Sequence, residues 1–128
     1  MTDDQKKQLT MDPDGGLKCY EYLANNIDTC TAEDMSQLCT TLQDIDLTGQ
    51  FQASAARYLH AIDPTAFGET IRGLVACVID KDREHRYLPD LIAGLYGPDF
   101  HERASELSAT DDNFRRMYKR LYPSQNSL

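Results

Sequence analysis

Leu74-Val75-Ala76-Cys77-Val78-Ile79 decides the fold of this chain. The six apolar residues sit inside a longer pattern in which Phe67, Ile71, Leu74, Val75 and Val78 recur at helical spacing. A helix with almost no polar face over two turns has to be covered by other elements. The run is too short to cross a bilayer, so neighbouring helices are the expected cover. The spacing predicts a central buried helix near residues 64–82. It is opened by Asp63 as cap and by Pro64 at the first helical position, where a missing N–H costs nothing. Gly73 inside that helix costs about 1 kcal/mol against Ala, and a tight helix crossing is the expected compensation.

Outward from this centre the chain reads as further short helices. After the turn residues Asp12-Pro13-Asp14-Gly15-Gly16, a stripe of Leu17, Tyr20, Leu23, Ala24 and Ile27 predicts a helix ending near Asp28. Thr31 is the next N-cap, followed by Glu33 and Asp34 on the positive helix end and a stripe of Met35, Leu38, Cys39, Leu42 and Ile45. Beyond Asp46-Leu47-Thr48-Gly49 a third helix turns Phe51, Ala55, Tyr58, Leu59 and Ile62 inward, and Ala53, Ser54, Ala55 and Ala56 allow a close neighbour. Pro89 opens a helix that Gly97-Pro98 stops. Residues 99–107 read as a short helix, and Thr110 as the cap of a last one that buries Phe114, Met117, Tyr118 and Leu121.

No period-2 alternation calls for a strand. The expected fold is all-α: a single-domain irregular bundle of about six or seven short helices. A HEAT-like stack of helical hairpins is the alternative, although no repeat consensus stands in the sequence. Residues 1–12 are expected to be a flexible N-terminus, 13–122 the helical domain and 123–128 a flexible C-terminus. A chain of 128 residues can bury a real core, and with 41% hydrophobic and 27% charged residues it is not a disordered composition.

The net charge is −8, and residues 1–69, with twelve acids against four bases, hold the whole excess. Such a surface disfavours nucleic acid and anionic lipid and attracts basic partners. No apolar signal segment follows Met1, and no two of Cys19, Cys30, Cys39 and Cys77 stand in C-x-x-C spacing, so reduced thiols in the cytoplasm are expected. For an exported domain, two disulfides would be the alternative.

Motifs for chemistry are sparse. Asp44-Ile45-Asp46-Leu47-Thr48-Gly49 follows the first half of a calcium loop, but the twelfth position, which must supply a bidentate Glu, is Ala55. A helix end with Asp46 or Thr48 as N-cap is therefore the reading taken. His60, His85 and His101 lack the spacing that puts two ligands on one helical face, so no metal and no cofactor are expected. Cys30 precedes a helix start but has no evident histidine partner, which makes it an inert thiol. Arg115, Arg116, Lys119 and Arg120 form a basic face on the last helix, read as a solvated or intramolecularly paired face rather than a nucleic-acid surface.

By elimination, the sequence points to an acidic protein–protein interaction module, an adaptor or an immunity-type inhibitor of a basic partner. Asp28, Glu33, Asp34, Asp44 and Asp46, around the first two interhelical turns, are the candidate contact residues. The competing reading is a small helical enzyme whose acid, base and imidazole converge at Asp82, Glu84, His85, Arg86 and Tyr87. A homo-oligomeric structural subunit is the third.

Overall fold

Eight helices follow one another among the described residues, 2–123, of a computed structural model, and Thr2, Thr31 and Asp111 cap three of them with their side chains. They are α1 (Asp3–Thr10), α2 (Leu17–Asn25), α3 (Ala32–Ile45), α4 (Gln50–Ile62), α5 (Gly68–Lys81), α6 (Leu88–Tyr96), α7 (Ala104–Thr110) and α8 (Asp112–Leu121). No strand occurs among these residues. Residues 124–128 of the expected flexible C-terminus lie outside the described part.

The helices pack in two rows. In the first, α3 lies between α1 and α5, and α8 follows on the far side of α5. In the second, α4 lies between α2 and α6. The closest pairing, α4 on α5, crosses between the rows, with Ala53, Ala55 and Ala56 buried in α4 and Leu74, Val75, Val78 and Ile79 buried in α5. α7 sits at the edge, packed on α8. The helices thus form one all-α bundle, in which α3 and α4 each touch more neighbouring helices than α5 does.

One turn is built three times. Asp12, Asp46 and Asp82 each end a first-row helix and are buried, at 7%, 1% and 3% exposure. Each carboxylate accepts from the amide six residues on, Lys18, Gln52 and Leu88, at 2.8 Å in all three cases. The residue three places on is left-handed each time: Gly15 at φ +68°, Gly49 at +86° and His85 at +58°. Additional amides bind the same carboxylates: Asp14 and Gly16 on Asp12, Gly49 on Asp46, Arg86 and Tyr87 on Asp82. A carboxylate at the start of the following helix answers its orphan amides and its positive dipole end together. Hydrogen bonds to a charged group contribute about 1.5–3 kcal/mol each, enough to offset much of the desolvation of a buried Asp.

Several boundaries differ from the sequence reading. The segment expected to be loose, residues 1–12, contains α1, held by a Thr2–Gln5 capping box and the buried Leu9. Pro64 lies in a turn whose Thr65 and Ala66 amides bind Asp63, and α5 starts only at Gly68. The short helix is displaced from 99–107 to Ala104–Thr110, because Phe100 is pinned in the core and the chain turns around it. Asp111, not Thr110, caps α8, accepting from the Phe114 amide at 3.1 Å. Gly73 makes no tight crossing: it is exposed, and a Cβ there would meet nothing within 4 Å. α5 is accordingly not covered all round, since Glu69, Arg72, Gly73 and Asp80 face solvent.

Candidate functional site

The five acids proposed from sequence separate to the two ends of α3. Asp28, in the turn before it, and Glu33, in its first turn, are exposed. Asp34 is half-buried and closes a capping box with Thr31, whose amide holds its carboxyl below the usual carboxylate range. Asp44 is exposed in the last turn, about 16 Å along the axis from Glu33 at helical rise. Asp46 is not a surface group. It is buried at the end of α3 with its carboxylate on the Gly49 and Gln52 amides, its pKa raised by burial against the opposing pull of its amides and Lys81. Lys81 in turn closes the C-terminal end of α3, donating to the carbonyls of Gln43 at 2.6 Å and Asp46 at 2.8 Å. The calcium-like stretch is therefore a helix end and a turn; Gly49, rather than Asp46 or Thr48, is the N-cap of α4, and Asp46 closes α3 while its carboxylate accepts from the Gly49 and Gln52 amides.

The charged junction does not gather into a constellation of free acid, base and imidazole. Asp82 is buried with both oxygens on amides of the chain following it. Glu84 and Arg86 pair with each other at the surface, at 2.7 Å. Tyr87 is half-buried against the core. His85 instead borders a shallow hollow with Asp80, Arg83 and Arg120.

No group of three or more His, Cys, Asp or Glu side chains among the described residues is arranged to hold a metal ion. His101 stacks on Phe100, far along the chain from His60 on α4. All four cysteines are free thiols. Burial pushes Cys19 up to about 12 and Cys39 up to about 11, and raises Cys30 as well, so these are unreactive at neutral pH. The basic face of α8 is partly paired within the molecule. Arg116 reaches Asp80 at 2.9 Å, Arg115 pairs with Asp112, and Arg120 donates to the Ile79 carbonyl at the end of α5.

The feature missed from sequence is a groove between the parallel-stacked α3 and α5, about 620 Å³ in volume. α3 contributes Ala32, Met35, Ser36, Cys39 and Thr40, and α5 contributes Thr70, Gly73 and Leu74 beside Phe67. Glu69 is the one charged side chain lining it among the described residues, and the exposed Asp28 and Glu33 stand in sequence on either side of its Cys30–Ala32 end. Ala32, Ser36 and Thr40 recur every four residues, a small-residue stripe beside the Met35–Leu38–Leu42 core stripe. With Gly73 opposite, that stripe is the signal from which the groove was readable. Its size and its mix of apolar floor and few polar groups are those of a binding cleft.

No helix among the described residues is long and apolar enough to cross a membrane. Compared with family models, with curated proteins and with solved structures, the chain finds no match in any of the three.

Proposed function

We propose that the protein is a protein–protein interaction module that takes an amphipathic helix with basic flanks into the α3–α5 groove. Gly73 carries this reading. A glycine inside a helix costs about 1 kcal/mol relative to Ala. Here no packing within the chain repays that cost, since a methyl group at this position would meet no neighbour. What the missing side chain leaves is depth in the groove. The apolar floor suits the apolar face of a helix, recognised through anchors at i, i+3/i+4 and i+7. Glu69 in the wall, with Asp28 and Glu33 at the head and no Lys, Arg or His in the lining, selects positive charge on the incoming segment. The acid set suggested by the sequence is thereby reduced to the members near one end of α3. Asp46 has a structural duty, and Asp44 stands at the opposite end.

The test uses a fluorescent synthetic helix of alternating Leu and Lys faces, with a Leu/Glu helix as the charge-reversed control. The Leu/Lys helix is expected to bind, more weakly as salt rises, and the control not to bind. Gly73→Leu and Ser36→Arg, both at exposed positions, are expected to keep the fold and abolish binding. Equal binding of the two helices, or binding indifferent to both substitutions, would remove the proposal.

A further inference from the structure

The residue three places beyond each buried Asp must be left-handed, and two of the three turns place Gly there. The third places His85 at φ +58°, a conformation that Gly adopts without steric cost and an L residue does not. Histidine is among the few side chains that enter this region with Asn and Asp, yet the turn itself makes no use of the imidazole, whose ring makes no hydrogen bond among the described residues. What it does is border a hollow of about 520 Å³ shared with Arg83, Arg120 and Asp80.

The charges around this hollow are ordered. Asp80, the one acid among its lining residues, is paired with Arg116 at 2.9 Å, which offsets part of its repulsion toward an anion. Arg120 donates one guanidinium N–H to the Ile79 carbonyl and has further donors for a ligand. Arg83 is exposed and makes no ion pair among the described residues. In a chain of net charge −8, two arginines and a histidine thus line one open concavity.

We propose that this hollow is an anion site for a phosphate monoester, with Arg83 and Arg120 as the charge-assisted donors and His85 as the third. A guanidinium fork pairs with two oxygens at a time; a carboxylate has oxygens for one such fork and a halide for none, whereas the three terminal oxygens of a phosphate monoester can serve two forks and a third donor together. The excess of acid elsewhere on the molecule opposes docking to an anionic bilayer, so the phosphate is carried by a soluble molecule. The site lies on α5, the turn after it and α8, and it stands independently of the groove.

The experiment is a titration of the whole chain with inorganic phosphate, read by backbone amide shifts of residues 80–86, against chloride at matched ionic strength. Phosphate is expected to give a saturating shift with millimolar affinity, and chloride none. Arg83→Gln is expected to weaken phosphate binding about fivefold or more, the loss of one exposed charge-assisted contact. His85→Gly restores the residue of the two sister turns. It is expected to leave the thermal midpoint unchanged or higher while weakening phosphate to a similar degree, an outcome that a merely structural histidine would not produce. Equal shifts with chloride, or wild-type affinity in both variants, would overturn the site. Vesicles containing phosphatidic acid are expected to leave the protein in the supernatant. Sedimentation with them that His85→Gly abolishes would overturn the assignment to a soluble ligand.

Discussion

Gln52 is the residue whose environment fits its chemistry least. It is fully buried in the first turn of α4, and neither its side-chain amide nitrogen nor its side-chain carbonyl oxygen has a hydrogen-bond partner among the described residues. A buried polar group left unmade costs about 1–3 kcal/mol. The threefold turn supplies the natural comparison. Gln52 stands six residues beyond Asp46, and the same place beyond Asp82 is Leu88, also fully buried. Both residues give their backbone amide to the Asp carboxylate at 2.8 Å, so the backbone geometry already accepts an aliphatic side chain. Gln52→Leu is therefore expected to raise the unfolding free energy by about 1–3 kcal/mol, measured as an increased denaturant midpoint at constant slope. A lower midpoint would mean that bridging water satisfies the amide and that the position is polar by design.

Among the elements, α5 shows both how far its sequence reaches and where it stops. Its apolar run predicted burial, and Ile71, Leu74, Val75, Val78 and Ile79 are indeed buried. That pattern was legible because burial of an aliphatic face is written in every residue of the face. The degree of cover was not. Ala76 and Cys77 are apolar yet only half-buried, since side chains this small do not tell a helix interface from the wall of an open groove. Gly73 is ambiguous for the same reason: a missing side chain is equally the mark of a close crossing and of empty space. With space as the answer, the helix keeps the full propensity cost of the glycine. Gly73→Ala is expected to raise stability by about 1 kcal/mol, which for a domain of this size is a rise of several degrees in thermal midpoint. No gain, or a loss, would mean that a neighbour approaches this backbone in solution. The caps divide along the same line. The Thr31 cap before α3 is local in sequence and was readable, whereas before α4 the N-cap falls on Gly49 and Asp46 acts from the end of the preceding helix. The displacement of the short helix to Ala104–Thr110 follows from Phe100 settling in a core formed with Phe114 and Tyr118, a long-range event that no window of neighbouring residues contains.

For the whole molecule the organising fact is the turn repeated at Asp12, Asp46 and Asp82, at separations of 34 and 36 residues. The repeat is hard to see in the sequence because it is carried by one acid and one left-handed position, and the latter changes from Gly to His in the third copy. The surrounding core is in phase only between the second and third copies, where Met35, Leu38 and Leu42 correspond to Ile71, Leu74 and Val78. Stacked units of this kind draw their stability from intrinsic terms and nearest-neighbour interfaces, so damage to an end unit should stay there. α1 touches α3, and α2 touches α3 and α4, whereas α4 packs on helices before and after it. Removing the cap at Asp12 is therefore a local injury and removing the cap at Asp46 a global one. In native-state hydrogen exchange, Asp12→Ala is expected to speed exchange in α1 and α2 while the slowest amides of α4 and α5 keep their protection. Asp46→Ala is expected to lower protection in α4 and α5 together, by the free energy it takes from global unfolding. Uniform loss of protection in the Asp12→Ala protein would mean that the eight helices unfold as one cooperative unit, and that the repeated turn is a feature of geometry without a counterpart in energetics.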